Sequence, residues 1–310
     1  MKKIIYNSLI IIILVLSACT ERIEINTDDA EPRLVIFGAI SDEIGAHRIT
    51  ISKSTGYFSN EAPPAITNAV VTITSSENEV FTLTEIIYNV YRPEDIDSLT
   101  PIGTVGSGIY ETDATFRAAK YGLIYTLDVW LDFDGNGEIE HYQAQSTMPH
   151  GPRVDSIALS PIVIDKMPIL FLYGEVFHDT PNNFCIYTSK NNNDNVPLGL
   201  FDYFAILDES MIKTFGNIYP LPYFARGGIN VGDTVNFRVD DLNNDYAVFL
   251  SQCKSEMGMK TPFFSSPPAE VVTNIKCLNA DIKVSGFFAA YDRGIDMTTI
   301  STINFKFMEQ

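Results

Sequence analysis

Between Arg33 and Ser146, apolar residues recur at every second position in short runs. Leu123, Tyr125, Leu127, Val129 and Leu131 form one run, Val71 and Ile73 share a face in another, and Arg48-Ile49-Thr50-Ile51-Ser52 alternates polar with apolar. A period of two places successive side chains on opposite faces of an extended chain, so each run reads as a half-buried antiparallel β-strand. Candidate strands start near Leu34, Arg48, Ala69, Glu79, Gly108, Leu123 and Glu138. Strands this short and this dense predict an immunoglobulin-like or transthyretin-like β-sandwich over residues 32–149.

Met148-Pro149-His150-Gly151-Pro152 breaks the alternation and marks a boundary to a second β-rich domain, residues 150–310. Its strand candidates are residues 169–177, 183–189, 202–207, 234–239, 271–275, 282–290 and 303–307. One stretch follows a different period: Tyr246, Phe249, Leu250 and Cys253 fall at i, i+3, i+4 and i+7. That stripe predicts one amphipathic helix near 244–257, capped by Asn243 or Asn244 and ended by Gly258, with Cys253 in a packing role. The fold class expected is therefore mainly β with a single helix.

The N-terminus reads as a targeting segment. Lys2 and Lys3 precede an apolar run from Ile4 to Leu16, which Tyr6, Asn7 and Ser8 interrupt, and Leu16-Ser17-Ala18-Cys19 follows. The run is too short to span a bilayer comfortably and matches an export signal. Small residues ahead of a cysteine are what a lipoprotein peptidase cleft admits, so residues 1–18 are expected to be removed and Cys19 to carry lipid. An ordinary signal peptide or an uncleaved anchor helix is the alternative. Several acyl chains on one cysteine, at about 0.8 kcal/mol per buried methylene, hold a protein on a membrane without spanning it. Residues 19–31, with Glu21, Glu24, Asp28, Asp29 and Glu31, read as an acidic tether.

Acidic residues number 39 against 21 basic, for a net charge of −18, and loss of Lys2 and Lys3 takes the body to about −20. A surface this anionic repels phosphates, so nucleic acid is excluded as a partner and charge is not the means of membrane attachment. With 45% hydrophobic, 12% aromatic and 19% charged residues, the chain is also outside the range of disordered sequences. Export would leave Cys185, Cys253 and Cys277 in an oxidising compartment, where three thiols allow one disulfide and leave one odd thiol. Spacing leaves the pairing open, and Cys253 with Cys277 is the working choice.

Asp132-Phe133-Asp134-Gly135-Asn136-Gly137-Glu138-Ile139 matches the opening of a calcium loop, with oxygen ligands at positions one, three and five and glycine at six. Position twelve is Gln143, which offers one neutral oxygen where a bidentate glutamate is needed, and the flanks alternate as strands. A hairpin turn on Asn136-Gly137 is the favoured reading and weak calcium binding the alternative, so no metal ligand is assigned. His47, His141, His150 and His178 are scattered and read as surface or strand residues. No nucleophile elbow, phosphate loop or dinucleotide fingerprint occurs, so no catalytic residue and no cofactor is expected. Tyr219, Tyr223 and Phe224, mixed with Pro220 and Pro222, read as an aromatic loop that closes a β core or stacks on a sugar.

Several motifs in order carry a resemblance. They include the Cys19 lipobox, Pro32-Arg33-Leu34-Val35-Ile36-Phe37-Gly38, Ala69-Val70-Val71-Thr72-Ile73, Thr147-Met148-Pro149, Tyr246 to Leu250, Thr273-Asn274-Ile275 and Gly286-Phe287-Phe288-Ala289-Ala290-Tyr291. On these the chain resembles a Bacteroidota outer-membrane lipoprotein family catalogued only as a domain of unknown function. The resemblance implies genes encoded beside TonB-dependent receptors and brings no catalytic residues. The Asp132 to Glu140 hairpin is longer than the family pattern.

The function expected is a lipid-anchored, non-enzymatic accessory or ligand-binding protein of the outer membrane, on a face left undetermined. It would partner a TonB-dependent transporter in nutrient uptake, with a small-molecule, peptide or glycan ligand. A carboxylate-based surface hydrolase is one alternative, and its sign is a cleft with two carboxyl groups about 5–10 Å apart. A structural or adhesive module is the other, and its sign is an exposed apolar patch.

Overall fold

The alternation in sequence becomes alternation in burial: along Ile124–Leu131, Tyr125, Leu127, Val129 and Leu131 are buried and their neighbours are not. The computed structural model describes residues 32–56, 59, 61–90, 103–118, 120–150, 153–164, 167–175, 183–191, 205–207, 218–222, 228–257, 270–294 and 297–304. The first part of the chain forms β1 (Leu34–Ser41), β2 (Arg48–Lys53), β3 (Val70–Ser75), β4 (Val80–Thr82), β5 (Thr84–Val90), β6 (Gly103–Glu111), β7 (Ile124–Leu131) and β8 (Glu140–Thr147). There follow β9 (Arg153–Ile164), β10 (Met167–Glu175), β11 (Asn183–Lys190), β12 (Ala205–Leu207), β13 (Ile218–Pro222) and β14 (Thr234–Leu242). The helix α1 (Asn244–Met257) precedes β15 (Lys276–Cys277), β16 (Val284–Asp292) and β17 (Met297–Ile300). The protein is mainly β with one helix among the described residues, as its periodicities predict.

The strands β15-β8-β7-β3-β4 make one sheet. A larger one runs β12-β11-β14-β16-β1-β2-β6-β5, with β17 beside β14, and β13-β10-β9 form a third. A sandwich core lies between the first two: Leu34, Ile36 and Ile40 of β1 and Ile49 and Ile51 of β2 cluster with Val71, Ile73, Leu127, Val129, Tyr142 and Ala144. Each fully buried Leu or Ile contributes about 1.5–3 kcal/mol relative to exposure. Tyr110 crosses this core, accepts the Ala69 N–H at 2.9 Å and donates to the Ile66 carbonyl at 3.1 Å, which fixes the entry to β3.

The last long strand closes the sandwich. β16 pairs parallel with β1 from Leu34↔Val284 to Ser41↔Tyr291. Val284, Phe288 and Ala290 face the sandwich core, while Phe287 and Ala289 face a second cluster under α1. A strand covered on both faces reads as a continuous apolar run, which is why Phe287 to Tyr291 lacks alternation. Strands from both sides of the 149/150 boundary thus share one sheet and one core. Residues 33–54 and 63–310 form one unit. Of the segment 55–62, which belongs to a separate unit, the described residues carry a turn bond, from the Ser59 N–H to the Gly56 carbonyl at 2.9 Å.

The helix occupies the residues its stripe predicts, and Asn243 is the cap: its Oδ1 accepts the Tyr246 N–H at 2.9 Å. Tyr246 and Phe249 stack on Phe287, with centroids 5.8 and 4.7 Å away, and Phe37 extends the stack. Cys253 packs there with Cys185, whereas Cys277 packs on the sandwich core across the β1/β16 layer. All three thiols are free, which corrects the Cys253–Cys277 pairing. Gly258 lies outside the described residues.

Other expectations shift. β5, β9 and β13 form where no strand is expected, and residues 271–275 are not a strand. There the Asn274 side chain bonds to two strands and draws the segment out of any ladder. The last strand falls at Met297–Ile300, ahead of 303–307, whose final residues lie outside the described ones. Part of the aromatic loop is the edge strand β13, whose Pro220 and Pro222 pair with Phe171 and Ile169. Prolines at alternate positions leave their missing donors on one side of an edge strand, where they break no ladder. Tyr223 and Phe224 lie outside the described residues.

Candidate functional site

The hairpin between β7 and β8 forms as expected, but its turn differs. The strands pair from Ile124↔Thr147 to Leu131↔Glu140, which leaves residues 132–139 as a wound loop. A two-residue turn on Asn136-Gly137 needs positive φ at both positions, whereas here Gly135 and Gly137 take it, at 78° and 88°. Aspartate side chains capture the backbone donors instead. Asp132 accepts the Gly135 and Gly137 N–H groups at 2.7 and 2.9 Å, Asp134 accepts Asn136 N–H at 3.0 Å, and Asn136 Oδ1 accepts Glu138 N–H at 2.6 Å.

This winding carries Asp132 and Asp134 toward the first residue of β8. Glu140 points inward, is 4% exposed, and accepts the Phe133 N–H at 2.8 Å. Asp132, Asp134 and Glu140 each present an oxygen, and the three lie within 4.8 Å of one another. The sequence pattern pointed to Gln143, which instead lies on the outer face and donates to Asp128 Oδ1 at 2.8 Å. In a helix-flanked loop the twelfth residue returns to the ion. A hairpin returns the residue opposite the last one before the loop, which is Glu140. Two residues on and on the same face stands Tyr142, fully buried, with a hydroxyl that has no hydrogen-bond partner among the described residues. Burial, then the charges of Glu140, Cys277 and Asp134, push its ionisation far above the usual tyrosine range, so it stays a neutral donor.

Among the histidines, His47 bonds the Glu43 carbonyl at 3.0 Å and His150 packs edge-on against Tyr121. His141 stacks on Trp130 at 4.7 Å and reaches Asp128 Oδ1 at 2.7 Å. Hairpin register, which pairs Trp130 with His141 and Asp128 with Gln143, assembles this group on the outer face. His178 and Cys19 lie outside the described residues.

A second arrangement lies where β8, β16 and the start of α1 meet. β14 pairs with β16 only at Asp241↔Asp292 and Leu242↔Tyr291, so the preceding backbone of β16 lacks a neighbour on that side. Side chains take the neighbour's place. Asn274 accepts the Phe288 N–H at 3.0 Å and donates to the Phe288 carbonyl at 2.7 Å and the Gln145 carbonyl at 3.1 Å. Ser146 accepts the Ala290 N–H at 2.8 Å, and Asn243 donates to the Ala290 carbonyl at 3.3 Å and to Ser146 at 2.8 Å. These bonds satisfy backbone groups that would otherwise be orphaned in the core. Above them opens a small cleft of about 200 Å³ whose polar lining includes Gln145, Thr147, Asn243, Asn244, Asp245 and Asn274. Its lining combines four amides and two hydroxyls with one carboxylate, Asp245, and two apolar side chains, Ile124 and Phe287, so no pair of carboxyl groups faces it.

Charge is also buried next to α1. Asp240 lies 2.9 Å from Arg238 Nε, out of line for a hydrogen bond, and the guanidinium covers the Tyr187 ring at 4.1 Å. Burial pushes Asp240 up to about 6. Asp241, with one oxygen unpartnered, is pushed up to about 8 by burial and the neighbouring Asp292 charge.

No curated protein matches the chain. Apart from Leu16-Ser17-Ala18-Cys19, its motifs, its β-sandwich core and its bridging asparagines occur within a single stretch that a family model covers. Residues 20–294 match the family described as a domain of unknown function (DUF4249), and the chain belongs to that family.

Proposed function

We propose that this is a Bacteroidota-type outer-membrane lipoprotein, anchored through Cys19, which binds a ligand or assists a TonB-dependent transporter without catalysing a reaction. The observation that carries the reading is Leu16-Ser17-Ala18-Cys19 behind a short apolar run, placed just ahead of a β-fold. Two further features support it. The cleft, with four amides, two hydroxyls, two apolar side chains and a single carboxylate, suits a neutral ligand better than carboxylate-based hydrolysis, which places two carboxyl groups across the bond to be broken. The edge hairpin β5–β6 exposes Tyr88, Val90 and Val105, with Tyr88 paired to Val105, a surface of the kind a protein partner covers.

Metabolic labelling with an alkyne fatty acid tests the anchor: the wild type takes up label and Cys19→Ala does not. Purification from gently solubilised membranes tests the partner, and a β-barrel receptor is expected to accompany the wild type. Equal labelling of both proteins would refute the anchor, and repeated recovery of the protein alone would refute the partnership.

A further inference from the structure

We propose that Asp132, Asp134 and Glu140 form a calcium site that fastens the 132–139 loop to the start of β8. The proposal concerns the folded domain and stands whether or not Cys19 is lipidated.

Three acidic side chains alone would be ordinary surface chemistry, and Asp132 and Asp134 are exposed. Glu140 is different, since a carboxylate 4% exposed needs a compensating charge or a full set of donors. It has the Phe133 N–H on one oxygen, and no cation pairs with any of the three carboxylates among the described residues. Lys53 comes toward the loop, yet its Nζ sits over the Phe133 ring at 5.0 Å. The second, independent feature is Tyr142. Its hydroxyl is fully buried, has no partner among the described residues, and belongs to a side chain on the same inward face of β8 as Glu140, two residues along. In the proposed site this idle donor, on the same face as Glu140, bonds an oxygen of that carboxylate or a bound water once a cation fixes the side chain.

The donors select the ion. All are oxygens, which favours a hard cation over zinc or copper. Oxygens on opposite sides of one calcium stand about 4.6–5.2 Å apart, and on magnesium about 4.0–4.2 Å, from their usual bond lengths. Oxygens that all lie within 4.8 Å of one another fit around one such cation, and a loop supplying carboxylates and carbonyls suits calcium, which tolerates irregular coordination, better than magnesium, which demands a near-ideal octahedron. Asn136 Oδ1 and loop carbonyls lie on the same winding and are available to raise the coordination number, with water filling the rest.

Titration calorimetry on the full chain with calcium chloride should give a saturable Kd of about 10⁻⁴–10⁻³ M, the range of extracellular modules, with magnesium roughly tenfold weaker or more. Asp134→Asn, at an exposed position, should weaken calcium binding by about tenfold or more while circular dichroism stays unchanged. Glu140→Gln keeps an acceptor for the Phe133 N–H and should weaken it comparably. Glu138→Gln, in the same loop but outside the triad, should leave the affinity within about twofold. The proposal is overturned by an absence of saturable heat up to about 10 mM calcium, by equal affinity for magnesium, or by a Glu138→Gln loss as large as that of Asp134→Asn.

Discussion

Replacing Asn274 by alanine tests whether side chains stand in for a missing strand beside β16. The substitution strands the N–H and C=O of Phe288, a residue with no exposed surface, and frees the Gln145 carbonyl. Each buried backbone group left unpaired costs about 1–3 kcal/mol, so the two on Phe288 set a range of about 2–6 kcal/mol. Asn274 also lines the cleft, so water can reach the vacated position and offset part of that cost. The expected loss is about 2–4 kcal/mol, a large fraction of the about 5–15 kcal/mol that holds a domain folded. Urea unfolding should show a lower midpoint with an unchanged slope, and hydrogen exchange at the Phe288 amide should accelerate by at least the same free energy. Asn279→Ala is the comparison, because Asn279 bonds the His141 N–H and the Ile139 carbonyl on the exposed side of β8. It should cost no more than about 1 kcal/mol per bond lost. A loss below about 0.5 kcal/mol for Asn274→Ala would show that these bonds do not substitute for a ladder.

Two further outcomes follow from buried groups. Asp241 is pushed up to about 8, so between roughly pH 4 and 8 the folded state holds a proton that the unfolded state has released. Its contribution is complete below the unfolded pKa and is lost as pH rises through about 8, at up to about 1.4 kcal/mol per pH unit. Thermal midpoints should therefore rise on acidification from pH 8 to about 5.5, and Asp241→Asn should flatten that dependence; parallel profiles for the two proteins would refute the assignment. At Gly286 the φ is 103° and an added Cβ would stand 2.0 Å from the Ile36 carbonyl oxygen. Gly286→Ala should cost at least about 3 kcal/mol through backbone strain and separation of β1 from β16, and a near-native urea midpoint would contradict this.

The fold was readable wherever one face of an element is buried. β7 and β2 alternate because water lies on one side of them, and α1 carries its stripe for the same reason, so its bounds agree with its period. β16 is buried on both faces, and its composition marks it as a strand without giving its neighbour. Asn274 reads as a polar residue inside an apolar strand candidate, and only the missing ladder beside Phe288 explains it. Within the calcium-like loop the first two carboxylates were legible from spacing. The third was not, because the position that returns to the site is set by hairpin register rather than by count along the chain.

Local pattern is written in one dimension, so the sequence by itself determined the strand-rich class, the helix, the acidic loop and the family. The parallel closure of β1 on β16, the separation of Cys253 from Cys277 and the convergence of Glu140 with Asp132 and Asp134 were decided by the tertiary structure alone. The first two depend on which distant segments become neighbours, a choice made by burying both faces of β16 at once, and the third depends on the register of one hairpin, which the count of residues along the chain does not contain.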